Sequence, residues 1–250
     1  MAAALPVGAV IKTGYAAFSK APFLFVGFTL IGGGIFFVGL LVLFQAILSI
    51  QDSAEFGIGW VFIILLGLSI SVFALLWMNL GLFRGAWRAL NGETPIIKDF
   101  VRWDFRAIKR LLWMATLLLV IFLIVILTAA LAGCLASLIH LELFFVPLFV
   151  GSLVLIYLAV TQMFYVPIVV AQGGRVMQAF RHGRKVVDPQ FWRLLGFGLL
   201  MILITLPWLL ICRIGILVAA PVVVCCLVAA YQHLFNSDDC TGFLVDVRQG

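Results

Sequence analysis

Charge is what this sequence has least of. Of its 250 residues only 10% are Asp, Glu, Lys or Arg, while 65% are hydrophobic; soluble chains run at about 25% charged and about 45–50% apolar. So few charges cannot cover a water-facing surface, and a chain of this length has no interior large enough to hide the remainder. A soluble enzyme, a disordered chain and a disulfide framework are all excluded. Strict apolar–polar alternation is missing as well, which excludes the pattern of an outer-membrane barrel. A helical integral membrane protein is left, because a single segment in hydrocarbon must satisfy its own backbone hydrogen bonds.

Ionisable residues inside the apolar runs are almost absent. Such residues mark proton relays and ion-coupled transport, or charged pore rings, so their scarcity weighs against both. Cysteine is present five times without a metal spacing. Cys225 and Cys226 are adjacent, about 100° apart on a helix, and cannot clamp one ion; Cys134 and Cys212 form a candidate pair, and Cys240 lies in the tail. His140, His182 and His233 are scattered, and only His140 with Glu142 brings two acid–base groups close in sequence. No catalytic residue, metal or cofactor is expected, and the chain is read as non-enzymatic.

Present instead are six apolar stretches, at about 23–50, 57–83, 111–138, 143–171, 194–212 and 216–235. A hydrocarbon core takes about 20 helical residues, and the first four exceed that, so tilt or protrusion is expected. The first is too long for a signal-peptide core and is read as an uncleaved span. With the N-terminus inside, Lys12, Lys20, Arg84, Arg88, Lys98, Arg102, Arg106, Lys109, Arg110, Arg175, Arg181, Arg184, Lys185, Arg193 and Arg248 all fall on the inner side, 15 of the 16 cations. Only Arg213 falls outside, with Asp52, Glu55 and Glu142. Such asymmetry predicts an even number of spans with both termini inside. Trp60 and Trp77, 17 residues or about 25 Å of helix apart, bracket the second span, and Trp192 and Trp208 bracket the fifth, as interfacial indoles do.

Ahead of the first, third and fifth spans lie shorter segments at 7–21, 97–110 and 175–187, each mixing cations with apolar residues at helical spacing. They are expected to lie as amphipathic helices in the inner interface. The fold expected is therefore all-α: six transmembrane helices in three hairpins, each preceded by an interfacial helix. One polytopic domain covers 1–236, and 237–250 is a polar cytoplasmic tail.

In the second interfacial segment Lys98, Arg102, Arg106 and Arg110 are spaced by four, predicting one continuous cationic stripe, with Phe100, Trp103 and Ala107 anchoring the opposite side. Arg84 and Arg88 leave the second span at the same level, and Arg181, Arg184 and Lys185 make a second basic cluster. Anionic headgroups suit such surfaces, although the positive-inside rule alone would place cations here without any specific contact. Within the spans, Gln45, Asn79 and Gln162 are candidate polar packing or cavity residues; Asn79 and Gln162 could each bridge two helices. Gly32, Gly33 and Gly34 are read as close packing or a flexible break, Gly81 and Gly85 as close packing, and Pro147, Pro167, Pro207 and Pro221 as kinks.

The helix leaving the second span reads Gly81-Leu-Phe-Arg84-Gly85-Ala-Trp-Arg88-Ala89, followed by Gly92-Glu93 and Phe100. Ala21-Pro22 opens the first span, the fourth ends in Tyr165-Val-Pro167-Ile-Val-Val, and the last holds Pro221 and Ala230-Tyr231. Over roughly 7–236 this layout resembles a group of six-span bacterial membrane proteins that includes uncharacterised inner-membrane families and the membrane domain fused to some glycerophosphodiester phosphodiesterases. The resemblance implies the six-span fold and a bacterial cytoplasmic membrane, with another energy-transducing membrane as the alternative. It carries no settled activity. The sequence holds no soluble phosphodiesterase domain, so an enzyme gains no support from the likeness.

The expected function is that of an accessory or assembly subunit, or a lipid-interacting factor, acting through the basic inner face. Membrane lipids, chiefly anionic, are the expected partners, with a larger membrane complex beside them and no nucleic acid. The alternative is a transporter or flippase for an uncharged or amphipathic solute.

Overall fold

The computed structural model describes residues 6–52, 58–172, 176–211 and 215–235. The described residues are 91% helical, with no strand among them. Six helical segments are long and apolar enough to cross a membrane, Pro22–Ile50, Ile58–Leu90, Phe105–Ser137, Leu141–Thr161, Gly183–Pro207 and Leu217–Phe235; they lie chiefly in α2 (Pro22–Asp52), α3 (Ile58–Leu90), α5 (Phe105–Ser137), α6 (Phe145–Thr161), α9 (Phe191–Ile211) and α10 (Ile216–Phe235). Shorter pieces join them: α1 (Val7–Ser19), α4 (Ile97–Val101), the single turn α7 (Tyr165–Pro167) and α8 (Val176–Val187). The expected tail and turn residues Arg213, Glu55, Cys212, Cys240 and Arg248, and Arg175 ahead of α8, lie outside the described residues. The chain divides into two compact units. An amino-terminal unit comprises Gly8–Ile108 with Met201–Ala230, and a central unit comprises Met1–Val7, Lys109–Leu200 and Tyr231–Gly250.

In the amino-terminal unit α2 and α3 pack antiparallel along small residues. A Cβ on Gly32 would lie 2.9 Å from Met78 Cγ, and one on Gly39 would lie 2.8 Å from Ser71 N. A Cβ on Gly67 would lie 3.0 Å from Gly39 O. Two backbones can approach this closely only where no side chain intervenes. Gly33 and Gly34 have open space, and α2 runs through all three glycines without a break, so close packing at Gly32 is the outcome and the flexible break is not. The span hydroxyls fit the same economy: Ser71 donates to Gly67 O and Ser69 to Leu65 O, each within its own helix.

The amphipathic segment α1 buries Val10, Gly14, Ala17 and Phe18, one side of a helix. It docks on α10: a Cβ on Gly14 would lie 2.7 Å from Cys226 Cα.

In the central unit α5 and α6 are antiparallel neighbours. Gly133 faces Phe144 and Gly151 faces Ala129, with contact distances of 3.0 and 2.6 Å from an added Cβ. The fourth span is shorter than its apolar run. Helix α6 stops at Thr161, and Gln162–Phe164 turn the chain into α7 and a π-helical turn at Ile168–Gln172. Pro167, which lacks an amide hydrogen, sits at that break. The apolar pattern through 171 therefore reflects burial in protein: Phe164, Ile168, Val169, Val170 and Ala171 are all buried. Pro207 and Pro221, by contrast, lie inside α9 and α10.

Large apolar side chains elsewhere face outward, among them Phe37 and Phe44 on α2 and Leu127 and Leu131 on α5. Lipid, not water, is the solvent that such a surface fits.

Candidate functional site

The expected continuous stripe does not form on one helix. Helix α4 ends at Val101, Arg102 adopts an extended ψ of 124°, and α5 starts only at Phe105. Two local contacts produce the break. Asp104 accepts hydrogen bonds from the Arg106 and Ala107 amides at 2.9 and 3.1 Å, capping a new helix. Phe100 and Trp103 are also drawn to different partners. Phe100 is buried edge-on against Phe25 and fills the groove over Gly81 and Gly85, while Trp103 stacks on Phe73.

Arg84 and Arg88 are committed to that joint. Arg84 is buried, and its Nη1 donates to the carbonyls of Asp99 and Arg102 at 3.1 and 3.0 Å. A buried guanidinium is tolerable here because these carbonyls close α4, where a cation is favoured. Arg88 reaches Asp99 Oδ1 at 2.6 Å and Glu93 Oε2 at 3.3 Å. Asp99 Oδ2 in turn accepts the Ile96 amide. Lys20 donates to Ala89 O at 2.7 Å near the end of α3, and Gly92, with φ +95°, closes that helix by bonding back to Ala89 while Glu93 bonds back to Arg88. Expected as headgroup contacts, Arg84 and Arg88 thus hold α3 to α4. Lys98, Arg102 and Arg106 are exposed beside them, and Arg110, one turn beyond Arg106 on α5, is half-buried.

In the central unit Arg181, Arg184 and Lys185 are exposed on α8, whose other side buries Gly183 and Val187. Gly183 lets α8 approach Ile168 and Thr161 closely. Arg184 donates to the Tyr157 hydroxyl at 3.0 Å and pairs with Asp188 at 4.0 Å; Tyr157 also bonds Asp188 at 2.9 Å. Helix α8 is therefore a docked amphipathic helix with a basic outer side.

The three intramembrane amides separate. Gln45 is exposed on α2, and Asn79 donates to Leu75 O within its own helix. Gln162 is buried at the helix break, and its Nε2 has no hydrogen-bond partner among the described residues. Among the described residues no three His, Cys, Asp or Glu side chains gather where they could hold a metal.

The sequence reading missed Asp99 and Lys20 as clamps. Asp99 had a local signal, three residues after Ile96 at capping distance; Lys20 had none, since its acceptor is 69 residues away.

By the length and apolarity of six helices, the chain is an integral membrane protein. No family model, curated protein or solved structure matches it.

Proposed function

We propose that this is a non-enzymatic membrane protein that engages anionic lipid headgroups through its exposed cations, serving lipid homeostasis or the assembly of a membrane complex. The observation that carries the reading is the exposure of three cations beside the α3–α4 joint. Arg84 and Arg88 hold the joint together, and Lys98, Arg102 and Arg106 are exposed next to buried Phe100. Helix α8 also exposes cations, Arg181 and Lys185 beside Arg184, which itself holds Tyr157 and Asp188. A cation near an anionic membrane surface contributes about 1 kcal/mol, so three together favour anionic lipid markedly. The six-span bacterial group resembled in sequence is the proposed family, and the cytoplasmic membrane the proposed location.

The test is to reconstitute the chain and compare association of spin-labelled phosphatidylglycerol with that of phosphatidylcholine. In a variant carrying Lys98→Gln, Arg102→Gln and Arg106→Gln the preference for the anionic lipid should fall towards unity. An unchanged preference would remove the basis of the proposal.

Transport of an uncharged or amphipathic solute is the second reading. It is favoured by Gln162, a buried amide with a spare donor beside a broken helix.

A further inference from the structure

A cavity of about 440 Å³ lies between α1 and residues of α9 and α10, all within the amino-terminal unit. That volume falls in the range of about 300–1,000 Å³ typical of small-molecule sites. Helix α1 contributes Lys12 and Tyr15 from a side adjoining the one that packs on Cys226.

The lining is polarised. Lys12 and Tyr15 are exposed, whereas Phe18, Met201, Ala219 and Cys226 are buried. Lys12 is the one charged residue among those lining it. Deeper in, the polar groups are already occupied: Thr205 donates to Met201 O at 2.7 Å, and the Cys226 thiol is directed at Ile11 O at 3.9 Å. A sugar, amino acid or nucleotide would lose its hydrogen bonds with water on such a floor and regain none. A hydrocarbon chain loses nothing there, and a phosphate at the exposed end meets an ammonium group. The site therefore matches an amphiphile with an apolar tail and an anionic head. Helices α9 and α10 are themselves apolar enough to lie among such molecules.

We propose that this cavity holds one acyl chain of an anionic phospholipid, with the lipid phosphate on Lys12. The inference rests on the reading of the chain as a lipid-binding membrane protein, but it uses none of the cations at the α3–α4 joint or on α8.

The experiment uses the full chain in nanodiscs containing a trace of phospholipid with a diazirine near the end of one acyl chain. The headgroup is phosphatidylglycerol in one sample and phosphatidylcholine in the other, and labelled residues are mapped by peptide mass spectrometry. Labelling of Ile204, Val222 and Val223 should favour the phosphatidylglycerol probe by about fivefold, the effect of one lysine at an anionic surface. Lys12→Gln should abolish that preference while leaving the cavity labelled. Gly8→Trp should block labelling of the cavity by both probes. Gly8 lines the cavity and a Cβ there meets open space, so the indole can enter the cavity without a backbone clash. In every variant, labelling of the outward-facing Phe37 and Phe44 should persist.

Three results would each overturn the proposal: equal labelling by both probes in the unaltered chain, which marks an uncharged apolar occupant; labelling indifferent to Gly8→Trp, which marks general lipid contact; and crosslinks joining two copies of the chain through the cavity. The glutamine variant at Lys98, Arg102 and Arg106 separates the two readings. It should keep its cavity labelling in full. Cavity labelling without a headgroup preference at the joint defeats only the surface reading, and the converse defeats only the cavity.

Discussion

Gln162 tests at a single position whether a polar residue inside an apolar chain is there for packing or for a ligand. An amide donor buried without a partner costs about 1–3 kcal/mol. If Gln162 serves packing alone, Gln162→Leu removes that cost and should raise the thermal denaturation midpoint in detergent, by an amount equivalent to about 1 kcal/mol. If the second reading holds, the same variant should lose uptake of an uncharged solute in proteoliposomes, whatever its midpoint. The two measurements, made on one variant, separate the possibilities. Asn79 and the span hydroxyls show the contrast, because each returns a donor to a carbonyl of its own helix. Sequence alone marked all three amides, and Asn79 and Gln162 alike as bridges between helices. Which of them keeps a spare donor depends on rotamer and neighbours, and neither follows from spacing.

At the scale of elements, the decisive structure is the joint between α3 and α4. Asp99 serves three parts of it: the Arg88 guanidinium, the Ile96 amide, and, through its carbonyl, Arg84. Removing one partner from a largely buried ion pair costs about 3–5 kcal/mol. Asp99→Ala should therefore loosen α4 and speed hydrogen exchange of the amides at 97–103, with α2 and α3 little changed. Slow exchange persisting through α4 would show that Phe100 in its glycine groove suffices. The helices themselves were legible in the sequence, since a run of apolar residues bounded by charge leaves little choice in lipid. The break at 102–104 was not, although Asp104 stood there as a cap. A four-residue cationic spacing reads as one helix, and the Asp104 cap together with the competing pulls of Phe100 and Trp103 ends it. In the same way, the end of α6 at Thr161 was hidden because burial in protein and burial in lipid select the same residues.

For the whole molecule, orientation is the property from which the proposed function follows, and the placement of 15 of 16 cations on one side is its basis in the sequence. With the native cysteines replaced by serine, Lys185→Cys should react with a membrane-impermeant maleimide only after the cells are opened, and a cysteine at the position of Glu142 should react in intact cells. Reaction of the Lys185→Cys variant from outside would reverse the topology and with it the assignment of a basic inner face. The six spans and the basic segments could be read from composition and position; the burial of Arg84 and Asp99 could not. The pairing of α1 with α10 could not, because no pattern links Gly14 to a residue so far along the chain.

That pairing sets an order of events during synthesis. The thiol of Cys226 is directed at the carbonyl of Ile11, 215 residues earlier. At about 5–20 residues per second, that interval takes roughly 10–40 s. Helix α1 is thus made well before its seat on α10, and the part of it that meets Cys226 waits uncovered while the spans between are made. Any bilayer that receives the nascent chain becomes the temporary partner of that side, and the lysine at position 12 is a basic residue on the same helix that can hold it there.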